Sequence, residues 1–226
     1  MQNTASVSLF GSSRWFLRVG KLAGWTVLLA LIVYYIRRDV LHYLLQYTPE
    51  SFKSFWSERL IIRSHVAVAL IMVLLGPLQF WTGFRMRHMK LHLWCGRTFL
   101  VAGTLAAFGA LYMGLHPRLG GVVYGFGLFL NGFFWLASAS MAYYAIRLGN
   151  VRVYKEWMIR TYVLTCAGFV AARVVTDLHF LDPIVGVKAL WDLSSWVNWA
   201  VPLVITEFVL QIRALQKSRT RDSFSD

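Results

Sequence analysis

The residues able to do chemistry in this chain are few, and they fall into two clusters set in apolar surroundings. In the first, Arg173 and Asp177 are four apart, so one helix face carries both, and His65, Met72 and Gln79 repeat every seven residues as one stripe of another helix. A cavity between them would use His65 as a ligand or proton carrier and Arg173 to hold an anion. The same residues also admit a structural reading, an Arg173–Asp177 ion pair and a histidine bonded to a backbone carbonyl. The second cluster gathers His88, His92, Arg97, Lys155 and Arg160 near two helix starts, with Glu207 in a third apolar run. Arg97 and Arg160 could chelate one anion, a phosphate, a lipid headgroup or a haem propionate. Alternatively they extend to headgroups, with Glu207 as a buried partner for one of them.

Two function classes follow. Histidines near both ends of a helical core suit a redox protein holding haem b, with His65 and either His116 or His179 as outer axial candidates, His92 as the inner one, and Arg97 and Arg160 on the propionates. Gln79, Arg173, Asp177 and Glu207 suit the alternative, a transporter or binding subunit for a small anionic or lipidic solute. There is no phosphate-binding glycine loop, no His-Glu-x-x-His, no Cys-x-x-Cys and no Gly-x-Ser-x-Gly elbow, which argues against nucleotide hydrolysis, zinc proteolysis and serine esterase chemistry.

The elements that must position these groups are membrane helices. Of 226 residues, 58% are hydrophobic and 15% charged, far below the quarter or so of a soluble domain. Six apolar segments, at 22–37, 61–82, 95–115, 121–146, 157–177 and 195–212, approach the ~20 residues that cross a bilayer. The first reads as an anchor, since Arg37 and Arg38 follow it and no small-residue cleavage site does. The expected partner is therefore the phospholipid bilayer, with a membrane protein or a second copy as a further possibility. The net charge of +13 is weak evidence for nucleic acid, because it sorts by side: alternate loops around 14–21, 85–97, 147–160 and 213–221 hold fifteen of the 23 basic residues. That predicts a multi-pass protein of a bacterial inner membrane with both termini cytoplasmic. Residues 38–60 read as an outer interfacial segment able to act as a lid, and 214–226 as a disordered cytoplasmic tail on a single domain whose core is 60–212. Pro117 follows His116 in a short outer turn, and Asn131 is placed to hydrogen-bond across helices.

One string repeats. Trp94-Cys95-Gly96-Arg97-Thr98-Phe99 and Trp157-Met158-Ile159-Arg160-Thr161-Tyr162 share a Trp-x-x-Arg-Thr-aromatic pattern 63 residues apart, each after a basic loop. This predicts an all-α fold with a four-helix core of two pseudo-repeated hairpins, flanked by the first and sixth helices. Leu91-His92-x-x-x-Gly96-Arg97, Gly76-Pro77-Leu78-Gln79-Phe80, the Trp157–Tyr162 string and an Asn198/Glu207 pair together resemble a bacterial family of predicted six-helix membrane proteins known as a domain of unknown function. The resemblance covers roughly residues 60–212 and implies membership. Two before the second Trp, where the family often carries His, this chain has Lys155.

Overall fold

The computed structural model describes residues 6–116 and 120–222, with side chains except at 6–18, 21, 53, 54, 167, 168 and 219–222. The turn residue Pro117 and the last four residues of the tail lie outside that description, and Arg14 and Arg18, expected in a loop, fall on helical backbone. In chain order the helices are α1 (Ser6–Tyr35), a π-helical turn (Ile36–Val40), α2 (Leu41–Leu45), α3 (Pro49–Phe52), a 3-10 turn (Lys53–Glu58), α4 (Arg59–Phe80), α5 (Thr82–Arg87), α6 (Met89–Leu115), α7 (Val122–Arg147), α8 (Val151–Thr176), a 3-10 turn (His179–Leu181), α9 (Asp182–Val185) and α10 (Val187–Asp222). No strand occurs among the described residues. Five helices there are long and apolar enough to cross a membrane: Phe55–Phe80, Met89–Leu115, Val122–Arg147, Val151–Thr176 and Val187–Ser218.

Helix boundaries depart from the apolar runs at the polar ends. α8 begins six residues before the expected segment and α10 eight before it, and α10 continues through Asp222 where a tail without structure was expected. Helical hydrogen bonds satisfy the backbone whatever the side chains, so a span does not stop where hydrophobicity stops. The sharp stop between α7 and α8 has a local cause. Gly149 takes φ +71°, and Asn150 caps α8 by accepting the Val153 N–H at 3.1 Å.

Small residues set the closest approaches. A Cβ at Gly132 of α7 would lie 2.9 Å from the Leu111 nitrogen, and one at Gly114 of α6 would lie 2.6 Å from the Phe129 nitrogen. Ala106, Ala107, Ala110, Ala139, Ala142 and Ala145 are buried along the same two helices. Lipid supplies no hydrophobic drive for helix association, so this backbone proximity is what gains dispersion energy. The core differs from the expected four helices with two flanking. α10 packs along both α8 and α7 and buries Ser194, Ser195, Asn198 and Trp199, which makes it a fifth core member beside α4, α6, α7 and α8.

The stripe His65, Met72, Gln79 faces α6, and each member meets a glycine there. Cβ atoms built on Gly109, Gly103 and Gly96 would lie 3.0 Å from His65 Cβ, 2.8 Å from Met72 Cε and 3.0 Å from Gln79 Oε1. Three side chains of α4 thus sit in three notches of α6, which fixes the register between the helices.

Candidate functional site: an intramembrane cavity

At the end of the bundle where α4, α7 and α10 begin, the helices part around a cavity of about 280 Å³. Its walls come from α4 (His65, Val66), α7 (Tyr124, Asn131, Trp135), α8 (Thr165, Phe169, Arg173) and α10 (Ser194, Ser195, Asn198), and its roof from Ile36, Asp39, Val40, Tyr43 and Phe55. The roof is held by an aromatic cluster. Phe52 is fully buried, with Tyr43, Tyr47 and Trp56 rings 5.4–6.1 Å from it, while the Arg59 guanidinium lies 4.3 Å over Trp56 and Arg63 donates to the Leu44 carbonyl at 2.9 Å. Toward the other end Met72, Phe99 and Leu164 are fully buried and close the bundle.

Three polar side chains that line the cavity have an atom without a partner. Asn131 Oδ1, Trp135 Nε1 and Asn198 Oδ1 are buried without a hydrogen bond, each worth about 1–3 kcal/mol of desolvation when left so. Asn131, expected to bond across helices, has a free Oδ1 instead. His65 donates from Nδ1 to the Ala106 carbonyl at 2.8 Å, because a carbonyl can only accept, and this leaves Nε2 as an acceptor. Its ring stands edge-on to Trp135 at 6.1 Å.

The π-helical turn aims charge at the cavity mouth. An extra residue per turn swings Arg38 and Asp39 toward α8. Arg38 grips Asp39 through two bonds, Nε to Oδ1 at 3.0 Å and Nη2 to Oδ2 at 3.1 Å, and donates from Nη1 to Asp177 at 2.6 Å. The Tyr35 hydroxyl also donates to Asp177, at 3.2 Å. Partial burial opposes charge on Asp177, but the bonds from Arg38 and Tyr35 outweigh it and hold the carboxyl below the usual range. The expected Arg173–Asp177 pair does not form. Asp177 caps the end of α8 and takes the shorter bonds that Arg38 and Tyr35 offer, while Arg173 reaches Asp39 at 3.4 Å.

The second cluster lies at the opposite end and is separate from the cavity. Arg160, with 12% of its side chain exposed, donates from Nη2 and Nε to Glu207 at 2.6 and 3.0 Å. Arg97 is exposed over the Trp94 ring at 5.3 Å and has no carboxylate partner among the described residues. The two arginines therefore do not converge on one anion. Gln79 donates to the His92 carbonyl at 3.4 Å, and the His92 Nδ1 is buried and unpaired.

These placements give no support to a haem between histidines. Among the described residues His65 is the only histidine lining the cavity, and His92 belongs to the opposite end of α6. The His116 Nδ1 donates to the Tyr112 carbonyl at 2.8 Å, and His179, three-quarters exposed, pairs with Asp182. Among the described residues no group of three His, Cys, Asp or Glu could hold a metal ion.

Residues 62–210 match the family described as Predicted membrane protein (DUF2306). The chain belongs to this family. No curated protein and no solved structure matches it. The DUF2306 region takes in the cavity walls from Ile62 onward, with Arg173, Asp177 and Asn198, but not the roof or the Tyr35, Arg38 and Asp39 side chains. Segment 38–60 was expected as a lid, but the Tyr35 and Arg38 bonds to Asp177 could not be read from the sequence because their partner is about 140 positions away. Asn131 and Asn198 carried a readable signal, isolated amides in apolar runs.

Proposed function

We propose that this DUF2306 protein binds a small solute within the membrane, in the cavity between α4, α7, α8 and α10, as a carrier or as the solute-binding subunit of a larger assembly. The observation that supports this reading is the set of unpartnered polar atoms on Asn131 (Oδ1), Trp135 (Nε1) and Asn198 (Oδ1), residues that line one cavity together with His65. Burying several such groups together is costly unless water or a ligand bonds them, and an apolar core would need none of them. The proposed setting is a bacterial inner membrane crossed six times, α1 included, with both termini and the basic loops cytoplasmic, so that the cavity mouth faces outward.

Cysteine labelling tests it. In a Cys95→Ser, Cys166→Ala background, Asn198→Cys should react with a small membrane-impermeant methanethiosulfonate applied to the face bearing Asp39. Met72→Cys, behind the closed part of the bundle, should not. An unreactive residue 198, where an exposed Val187→Cys control reacts, would show that the cavity does not open to solvent and would sink the proposal.

A further inference from the structure

We infer that the solute is a small organic acid, and that its carboxylate takes the place on Arg173 now occupied by Asp39. This rests on the cavity being a ligand site, and it adds the chemical class of the ligand. Arg173 lines the cavity one turn before the end of α8, with a third of its side chain accessible. A guanidinium offers five N–H donors in a planar fork, and none of those on Arg173 makes a hydrogen bond among the described residues. Its one carboxylate contact, Asp39 Oδ2 at 3.4 Å, falls short of the bidentate geometry that such a pair adopts when it forms fully.

Asp39 does not depend on Arg173. Arg38 already holds both of its oxygens, at 3.0 and 3.1 Å, so releasing Arg173 leaves Asp39 paired. Asp39 is thus a tethered carboxylate resting on an underused arginine, from a segment outside the DUF2306 match. It shows that a carboxylate oxygen can reach Arg173 at the cavity mouth.

The space behind Arg173 selects the rest of the molecule. Thr165 and Arg173 both line it and are eight residues apart on α8, so the cavity runs about 12 Å along the helix. Leu128, Trp135 and Phe169 give it apolar and aromatic walls, of no use to an inorganic anion. Its volume of about 280 Å³ sits at the small end of ligand pockets and excludes a two-chain lipid. At the inner end stand the His65 Nε2 acceptor, the Trp135 N–H donor and two amides that can present either end. A hydroxyl, with one donor and two lone pairs, can bond any three of these four. The ligand class is a compact, mostly apolar carboxylate with a hydroxyl at the end remote from the acid.

The test uses the full chain in detergent with 4-hydroxybenzoate, 4-hydroxyphenylacetate, their methyl esters and inorganic phosphate. At least one acid should raise the unfolding midpoint and bind in calorimetry, and its ester and phosphate should not. Affinity for that acid should fall about 10- to 100-fold in Arg173→Gln, the range expected for losing charge-assisted hydrogen bonds. It should be partly kept in Arg173→Lys and rise in Asp39→Asn, where the competitor has lost its charge. Equal binding of acid and ester overturns the inference on the unmodified protein, whether or not the variants fold. So do binding of phosphate, binding of no acid at all, unchanged affinity in Arg173→Gln, or weakened affinity in Asp39→Asn. In each of these cases a reactive Asn198→Cys leaves the cavity proposal standing, whereas an unreactive one removes both.

Discussion

The two copies of the Trp-x-x-Arg-Thr-aromatic string begin alike and end in different surroundings. In both, the arginine lies over the ring of the tryptophan three residues before it, at 5.3 Å for Arg97 on Trp94 and 4.7 Å for Arg160 on Trp157. In both, the closing aromatic is buried, Phe99 completely and Tyr162 nearly so. Between these points they diverge. Arg97 and Thr98 are exposed, while Thr161 is fully buried and Arg160 is turned into an ion pair with Glu207. The difference is α10, which packs along α8 and covers the second string; no helix among the described residues covers the polar side of the first. A repeated string therefore fixes a local contact through helical spacing, and the neighbouring helix decides whether that contact bears on stability.

The strongest way to break the second copy is through Tyr162. The Tyr162 ring fills the space that a side chain at Gly76 of α4 would need, and its contact with Phe80 at 5.3 Å leaves it little room to turn. Gly76→Val should cost about 3 kcal/mol, at the upper end of overpacking effects. In thermal unfolding that is about 6–12 °C for a chain of this size. Gly83, which meets only the edge of the exposed Trp81, serves as control, and Gly83→Ala should shift the midpoint by less than about 2 °C. Equal shifts at the two positions would show that Tyr162 is free to move aside.

The ion pair gives a smaller and sharper contrast. Arg160→Gln leaves Glu207 without its cation, and Glu207→Gln leaves Arg160 nearly enclosed. Each should lower stability by about 1–2 kcal/mol, less than for a wholly buried pair because Glu207 keeps 43% exposure and also accepts from Gln211. Arg97→Gln, in the uncovered copy, should change it by less than about 0.5 kcal/mol. The double variant Arg160→Gln, Glu207→Gln should recover part of the loss, whereas Arg97→Gln with Glu207→Gln should simply add. If the Arg160 double variant is also additive, the pair contributes through separate contacts and the contrast between the copies is only one of exposure.

How much of this was legible depends on what each feature requires. The α4 stripe could be read at His65, Met72 and Gln79 because helical spacing alone creates it, and its counterpart at Gly96, Gly103 and Gly109 was equally present in the sequence but went unread. Glu207 announced a buried partner because a lone carboxylate in an apolar run needs one. The choice of Arg160 over Arg97 needed the packing of α10 on α8, which no local pattern encodes. The Arg173–Asp177 expectation went wrong for a related reason. Spacing of four permits a pair but does not exclude better partners, and the π-helical turn that supplies Arg38 is not marked by any residue type. A cavity beside His65 and Arg173 could be expected from their spacing, but its walls from α7 and α10 depend on how the helices pack, which no local pattern encodes.

The smallest expected effect concerns the charges at the cavity mouth, the exposed counterpart of the Arg160–Glu207 pair. Asp177 has its folded-state pKa depressed, through the Arg38 and Tyr35 bonds acting against burial. A carboxylate with a depressed folded pKa adds stability that is fully present above its unfolded value, near 4, and is lost as the pH falls through the folded value. The contact between roof and α8 should thus be insensitive to pH from 8 to 5 and loosen only in acid below about 4. Because both Arg38 and Asp177 are about one-third exposed, solvent screens the pair and the gain in global stability is small. The measurable consequence is local. Amide exchange in residues 36–45 should quicken below about pH 4 once corrected for intrinsic rates, while the core helices stay protected, and Asp177→Asn should show the quickened exchange already at neutral pH. If protection at 36–45 in Asp177→Asn matches that of the unmodified chain, the roof is held by the Phe52 aromatic cluster and the Arg63–Leu44 bond instead. The mouth charges would then serve Arg173 and its ligand rather than the fold.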